Sequence, residues 1–521
     1  MSVRFIITLL CLWFCPIVFC QPTIEWQRTY GGSGPDLGYA FDPTNDGGYI
    51  LVGTSNSSDG DVTGLHGLND IWALKLASDG SIDWQRCLGG SQPENGYAVR
   101  QCADGGYILT GVTNSNDGDM PQGVIGQQDI WVVKLTSMGE LEWQRTYGGS
   151  AIETGHAIAE LPEGGFVVVA RTASTDGPMA DSHGDLDIWV GWLAPDGELL
   201  RSKCFGGSSA EVPSAVSVLP NGDLIISGQS SSTDGDVVGV HEGVPITRSD
   251  VWVFRVDDTG AIIWQLAAGG SFVDYARCHL VATDGSIYVG ATAESNDGDV
   301  SSSRGGMDFW VLHITAAGAL IAEASFGGAS DEQPYGIALK SDGHVVVGGV
   351  SISDDGDITT PLGGTDAWLF ELDEDLQLVW QKNHGGSGGD HCRAVGFDPD
   401  NGMTIFGYSS STDGDLVGSV GGTNFWLVNF EPFGVGLSEH YNDLSFTLHP
   451  NPTTNALRVE LPSIAKGQLE VLDALGRMVH TQVLQQESTL QFVDVGALAP
   501  GSYTLRIRSG VQVAVRPWVK E

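Results

Sequence analysis

The sequence predicts an all-β protein: a seven-bladed β-propeller of four-stranded blades, followed by a small C-terminal β-sandwich. Three observations predict it. A phrase W-Q-R-T-Y-G-G-S begins at Trp26 and returns, intact or degenerate, at Trp84, Trp143, Arg201, Trp264, Ala322 and Trp380, at spacings of 58, 59, 58, 63, 58 and 58 residues. A second phrase, Asp or Asn followed by an apolar residue and Trp, occurs once per interval, at Trp72, Trp131, Trp189, Trp252, Trp310, Trp368 and Trp426. A period of this length marks one supersecondary unit repeated in space. Each unit holds four strand-like stretches, in the second repeat GYAVRQC, GYILTGVT, DIWVVKL and ELEWQRTY, punctuated by Gly, Asp and Asn. Seven units of four strands match a propeller. No helical pattern of ten residues separates the strands, which excludes a doubly wound α/β sheet.

Composition agrees with this class. The 521 residues are 41% hydrophobic and include 73 Gly and 15 Trp, enough apolar material for a large core. Twelve of those tryptophans occupy the two repeat positions, and a Trp repeated in register is a core residue. Lys and Arg number 24 against 65 Asp and Glu, a net charge of −41. That charge excludes nucleic acid as a partner, because phosphate binding needs basic surface. It also disfavours an anionic membrane surface.

In chain order, residues 1–20 read as a secretory signal peptide, with Arg4 as the positive segment, an apolar run from Phe5 to Phe14, and cleavage after Cys20. Bulky Phe19 argues against lipid attachment at Cys20. No later stretch is long and apolar enough to span a bilayer, so no transmembrane segment is expected in the mature chain. Cleavage leaves Cys87, Cys102, Cys204, Cys278 and Cys392. Their number is odd, so at least one thiol is unpaired or pairs outside the chain. They lack metal-type spacing and are read as buried strand residues.

Residues 21–431 form the repeats. The mature chain opens on a fourth strand, IEWQRTY, and the last repeat ends at Phe430 without one. Residues 24–30 are therefore predicted to pair with 424–430, closing the ring and hiding its sheet edges. In a four-stranded meander, the loop between strands two and three shares a face with the loop between blades. The first carries D-G-D pairs: Asp59/Asp61, Asp117/Asp119, Asp234/Asp236, Asp297/Asp299, Asp355/Asp357 and Asp413/Asp415; the third repeat has Asp176-Gly177-Pro178 instead. All variation in repeat length falls in this loop, so this face is open. Its carboxylates have two readings: loop hydrogen-bond acceptors, or Ca²⁺ ligands. Calcium wants six to eight oxygens, and the phrase lacks EF-hand spacing.

The inter-blade loop carries an acid five residues after the first Gly of G-G: Asp36, Glu94, Glu153, Glu211, Asp274, Glu332 and Asp390. Four residues later comes a small residue, Ala40, Ala98, Ala157, Ala215, Cys278, Gly336 or Ala394, as a crowded inner strand beside a channel requires. The acids are accordingly expected to crown the channel mouth, as acceptors for neighbouring loops or as ligand contacts. The first role is preferred, because ligand sites seldom respect perfect repetition. Repetition fails just ahead of the small residue, at Tyr39, Tyr97, His156, Ser214, Arg277, Tyr335 and Arg393. Arg277 and Arg393, with His391 and His384, are scarce cations in an acidic body. Either each arginine balances the adjacent acids, the preferred reading, or the pair grips an anionic group. The enlarged fourth loop, Val237 to Ser249 with His241, Glu242 and Arg248, is a second candidate contact surface.

No nucleophile elbow, zinc-protease helix or P-loop appears in the strand–helix context its chemistry needs. The repeats therefore read as a binding or scaffold module for a glycan or protein ligand. The alternative is a secreted carbohydrate-active enzyme using carboxylates on the open face.

Residues 432–444 are a Gly/polar linker. From 445 to 521 the chain alternates as SFTLHP, ALRVEL, QLEVLD, TLQFVDV, SYTLRIRS and VQVAVRPWV, a small β-sandwich. An ordered set of positions runs through it: His449-Pro450-Asn451-Pro452, Leu457 and Val459, Val471-Leu472-Asp473 with Gly476-Arg477, Leu498, Gly501 and Tyr503 with Leu505-Arg506-Ile507, and a basic end at Lys520. This set resembles the type A C-terminal sorting domain of the type IX secretion system of Bacteroidota. The resemblance implies passage through the inner membrane by the signal peptide and export by the type IX machinery. It further implies removal of the domain, with release or attachment at the outer-membrane surface. Pro450, Asn451, Pro452, Gly476, Arg477, Gly501 and Tyr503 are the sorting positions it implies. The terminal Arg516-Pro517-Trp518 departs from the longer Lys-spaced strand usual there.

Overall fold

The computed structural model describes residues 21–120, 123–241, 248–398, 402–416 and 422–431, then 447–449, 453, 455–460, 468–472, 478–484, 490–509 and 512–520. The expected signal peptide and linker lie outside the described residues. The chain divides into two compact units, Met1–Pro432 and Phe433–Glu521.

The first unit is seven sheets of four antiparallel strands. Blade 1 runs from the inner strand Asp36–Pro43 through Tyr49–Ser55 and Asp70–Leu76 to the outer strand Ile82–Leu88. The next five blades repeat this order. Blade 7 takes three strands from Asp390–Phe397, Met403–Ser409 and Asn424–Phe430, and its fourth is Ile24–Tyr30 from the other end of the repeats. The register sets Ile24 opposite Phe430 and Tyr30 opposite Phe425. The ring is closed by its leading segment, as the sequence predicts.

The repeat phrases have separable jobs. The two middle strands of blade 1 are buried along their whole length, as strands covered on both faces must be. Their tryptophans are sealed in the core, and a buried indole N–H needs an acceptor. The Gln of W-Q-R supplies it from the outer strand: Trp72 donates to Gln85 Oε1 at 2.8 Å, Trp131 to Gln144 at 2.8 Å, Trp252 to Gln265 at 3.1 Å and Trp368 to Gln381 at 2.9 Å. In blade 7 the acceptor for Trp426 is Gln27, at 2.9 Å. Blade 3 has Ser202 at this position, and Trp189 turns to the Pro178 carbonyl at 3.2 Å. The Gln amide also donates to the D-G-D loop, from Gln85 to the Thr63 carbonyl at 3.1 Å and from Gln265 to that of Asp236 at 2.9 Å.

The outer tryptophans dock each blade on the next. Trp84 donates to the Ser137 carbonyl at 3.2 Å, Trp143 to Pro195 at 3.0 Å and Trp264 to Ala316 at 3.1 Å. The receiving turn must be glycine. Gly139 has φ 75°, and a Cβ there would lie 2.7 Å from the Trp84 ring.

The second unit is a sandwich of two antiparallel sheets. One holds Thr447–His449, Ala456–Glu460 and Leu490–Asp494. The other orders Met478–Val483, Gln468–Leu472, Gly501–Ser509 and Gln512–Lys520. Leu457, Val459, Leu469, Val471, Val493, Leu505, Ile507 and Trp518 form its core. Met478–Val483 is a strand beyond the six expected. It sits at a sheet edge, and MVHTQV, with His480, Thr481 and Gln482, carries little of the apolar alternation that reveals a strand.

Candidate ligand channel

The seven inner strands enclose a cavity of about 570 Å³. In every one of them the ladder to the second strand skips a residue. The register shifts between Gly38 and Ala40, Gly96 and Ala98, Gly155 and Ala157, Pro213 and Ala215, Ala276 and Cys278, Pro334 and Gly336, and Cys392 and Ala394. Each shift is a β-bulge, and the unpaired residue is Tyr39, Tyr97, His156, Ser214, Arg277, Tyr335 or Arg393. These are the positions at which the repeats differ, and all seven line the cavity together with the small residues that follow them. A bulge frees its residue from the ladder and re-aims the side chain.

The bulge also corrects the expected place of the acids. Without it, an acid at the strand start would share a face with the small residue four positions on. One extra residue reverses that parity. The seven acids are fully buried on the side away from the channel and do not crown its mouth. They tie the loops together instead. Asp36 accepts the Gly32 N–H and the Ser57 hydroxyl, both at 2.8 Å, and also the Ser55 hydroxyl. Glu94, Glu153, Glu211, Asp274, Glu332 and Asp390 accept the corresponding Gly N–H at 2.7–3.0 Å. Burial pushes the carboxyls of Asp36, Glu94, Glu211 and Glu332 up, and that of Asp274 to about 6.

The D-G-D carboxylates are engaged in the same clamp. The first Asp accepts the N–H of the residue after G-G, from Ser33 to Asp59, Ser91 to Asp117, Ser208 to Asp234, Ala329 to Asp355 and Ser387 to Asp413 at 2.7 Å, and from Ser271 to Asp297 at 2.6 Å. Asp176 keeps this bond to Ser150 at 2.8 Å, although its repeat lacks the second Asp. The second Asp accepts the first Gly N–H, at 3.0–3.2 Å, in Asp61, Asp119, Asp299, Asp357 and Asp415. Asp236 Oδ2 is buried without a partner. The central Gly needs φ of 60–67° in all seven repeats, and a Cβ on Gly60 would run into the Gly31 carbonyl. Among the described residues, the group of three His, Cys, Asp or Glu close enough to share an ion is Asp342, His344 and Glu371. The Lys340 ammonium occupies it, 3.0 Å from Asp342 and 2.8 Å from Glu371. No D-G-D pair belongs to such a group.

Around the channel the bulge residues touch in sequence. The Arg277 guanidinium lies 4.5 Å from the Tyr275 ring centre and 5.0 Å from that of Tyr335, and it donates to the Tyr275 hydroxyl at 3.2 Å and to Gln333 Oε1 at 3.1 Å. Arg393 lies 3.7 Å from the Tyr335 ring and 5.3 Å from Tyr39. Tyr39 and Tyr97 approach at 5.4 Å, and Tyr97 stacks towards His156 at 6.3 Å and 18°. Ser214 interrupts the belt by donating to the Ser227 carbonyl at 3.0 Å. His391 stacks on Tyr408 at 4.3 Å. Neither arginine balances an adjacent acid: among the described residues no carboxylate lies within 4.0 Å of Arg277 or Arg393. Acid and arginine stand three residues apart on one strand and so lie on opposite sides of it.

The other expected cations lie elsewhere. His384 is buried against Phe430 at 5.1 Å, with Nδ1 3.4 Å from Asp415. His241 is held by Asp250 at 2.8 Å, Arg248 lies 5.6 Å from the Phe272 ring, and Glu242 falls outside the described residues. Three contributors went unnoticed in the sequence: Tyr275, Gln333 and Arg171, whose Nε donates to the Thr154 hydroxyl at 3.2 Å. Tyr275 and Gln333 stand two residues before a bulge, so strand alternation was the available signal. Burial first, then the charges of Arg171 and Arg277, hold the His156 imidazole at about 3. Burial and Arg393 hold that of His391 at about 4. Both rings are neutral at neutral pH.

In the second unit, Gly501 opens a strand. Tyr503 stacks on Trp518 at 5.1 Å and 22°, and its hydroxyl donates to the Ala499 carbonyl at 2.8 Å. Pro450, Asn451, Pro452, Gly476 and Arg477 lie outside the described residues. Residues 447–521 match the family of secretion system C-terminal sorting domains. The tail is a sorting domain. Such a sorting domain of the type IX system implies export to the cell surface or the extracellular space. No helix among the described residues is long and apolar enough to cross a membrane. The chain is also similar to the regulatory protein FlaEY of Caulobacter vibrioides, at 23% identity over 388 residues, 66% of this chain and 39% of that protein. The chain thus spans well under half the length of this curated relative. Among solved structures it is similar to the Pan2 WD40 domain of Neurospora crassa (10% identity, 76% of this chain, 89% of that one, TM-score 0.42) and to Sqt1 of Chaetomium thermophilum (12%, 79%, 99%, 0.41).

Proposed function

We propose that this protein is an exported β-propeller that acts outside the cell as a binding module, with the central channel as its recognition site. One observation carries the reading. The acids, the glycines, the core tryptophans and the small inner-strand residues recur around the ring because each has one structural job. The seven bulge residues face the cavity and are three Tyr, two Arg, one His and one Ser. A position with only a structural job in a repeated ring is filled alike each time. The cavity has the volume of a small-ligand site, which accommodates a short glycan or the tip of a partner loop. The open-face carboxylates that a carbohydrate-active enzyme would use are engaged as acceptors of loop N–H groups, which favours binding over catalysis.

The test is a glycan and peptide array probed with the protein and with Tyr39→Ser and Tyr97→Ser variants. We expect a retained ligand without product release, and loss of binding in both variants at unchanged thermal stability. Turnover abolished by a single open-face Asp→Asn change would overturn the reading in favour of the enzyme.

A further inference from the structure

Among the described residues, the two bulge arginines of the channel have neither a carboxylate nor a backbone carbonyl as partner. Several basic side chains elsewhere sit on carboxylates, Lys75 on Asp46 at 2.9 Å, Lys134 on Asp104 at 2.7 Å, Arg255 on Asp223 at 2.6 Å and Arg304 on Asp357 at 3.1 Å, and others on backbone carbonyls, Arg86 on that of Gly139 at 2.8 Å and Lys203 on that of Gly260 at 2.9 Å. With 65 acids against 24 bases, a carboxylate partner is available almost anywhere on this chain. Arg277 and Arg393 have none. Arg277 spends two N–H contacts on the neutral acceptors Tyr275 and Gln333, and its Nε is buried without a partner. Among the described residues, Arg393 is held by the rings of Tyr335 and Tyr39 and by no carboxylate. His156 Nε2 and His391 Nδ1 are likewise buried and unpartnered. The acid lining the cavity, Asp42, is occupied towards the far end of its strand, accepting the Gln101 N–H at 2.9 Å beside Arg100 at 4.0 Å.

Resting on the channel as the recognition site, we infer that it selects an anionic ligand, with the guanidinium forks of Arg277 and Arg393 receiving a carboxylate or sulfate group. Both guanidiniums approach the ring of Tyr335, at 5.0 and 3.7 Å from its centre, so the two forks border the same stretch of the channel. Tyrosine rings flank each guanidinium; Nη2 of Arg277 is spent on Tyr275 and Gln333, and its other N–H groups together with those of Arg393 are left for two-point recognition of a planar or tetrahedral anion. The two half-buried charges have no carboxylate beside them, and an arriving anion supplies the counter-charge. The Tyr39–Tyr97–His156 run beside the arginines offers an aromatic surface for the rest of the ligand. Acidic sugars and small free anions share this chemistry.

The experiment is thermal unfolding of the full chain at constant ionic strength, with sodium chloride replaced in turn by sodium sulfate, by sodium galacturonate, or left in place with galactose added. The charge-neutral variants R277Q and R393Q and the charge-retaining R277K and R393K are run beside the wild type. Each variant's melting temperature without probe shows whether it is folded. We expect sulfate or galacturonate to raise the wild-type midpoint and galactose to leave it unchanged. Each Gln variant should need about tenfold more anion or lose the response, and the Lys variants should keep part of it. A response to galacturonate without sulfate assigns an acidic sugar, and the reverse assigns a free or sulfo anion; both support the inference. Equal responses to galactose and galacturonate would overturn it and leave the binding channel standing. So would no anion response, or the same response in wild type and both Gln variants.

Discussion

Gln27 provides a sharp check on ring closure, because the structure contains its own controls. Gln27 Oε1 accepts the Trp426 indole N–H at 2.9 Å across 399 residues of sequence, and its amide donates to the Asp415 carbonyl. Gln85 makes the same pair of bonds to Trp72 and to the loop at Thr63, across 13 and 22 residues. In the closed ring the two sites are equivalent, so Q27A and Q85A should cost the same. Each change leaves a buried indole N–H unpaired, which costs about 1–3 kcal/mol, and removes a second bond worth about 1 kcal/mol. The expected loss is about 2–4 kcal/mol for either variant, read from urea unfolding midpoints. Hydrogen exchange adds location: Q27A should loosen 424–430 and leave 107–113 protected. If Q85A is costly and Q27A is silent, the leading strand is not in the seventh blade. The loop neighbourhoods inferred from a closed ring then fail with it.

Two further outcomes follow from buried groups. Asp274 is raised from 3.8 to about 6 by burial, so between those values the folded protein holds a proton that the unfolded chain lacks. Stability from this group therefore rises as pH falls, by about 1 kcal/mol between pH 7 and 5 and by about 3 kcal/mol in full only below the unfolded value of 3.8. The depressed histidines His156, His279 and His391 act with the opposite sign below pH 6.5, so the total curve mixes both. The difference between wild type and D274N isolates the carboxyl: wild type should gain on the variant as pH falls from 8 to 5, and parallel curves would refute the shift. The five cysteines are free and buried, with Cys87, Cys102 and Cys278 pushed up to about 12 by desolvation. A chain beginning at Gln21 should show no thiol reactive to Ellman's reagent when native and five when unfolded.

The ring could be read from sequence because most repeated positions have one physical role that one residue type fills. Trp72 and its six counterparts need a sealed core and an acceptor, and Gln85 and its counterparts answer five of them, with Glu323 serving Trp310 and the Pro178 carbonyl serving Trp189. Asp36 and its counterparts need loop N–H groups, and the G-G phrase answers. Pairs of phrases at fixed spacing therefore announced the architecture before any coordinate did. The channel was legible only in part, because its geometry turns on one unpaired residue that leaves no composition signature of its own. Counting in twos from Ala40 places Asp36 at the channel and Tyr39 away from it. The bulge at Tyr39 inverts both assignments, and its counterparts turn Arg277 and Arg393 to the channel while the acids that were expected to neutralise them stay on the opposite side of the strand. The same device explains why variation collects there. A side chain released from the ladder can change from Tyr to His to Arg without disturbing a single strand pairing, whereas a change at Asp36 or Trp72 would break a buried bond. A sevenfold scaffold with a bulge in every inner strand thus separates two demands that ordinarily compete. The fold is specified by residues that must repeat, and the lining of the channel is left to seven that need not.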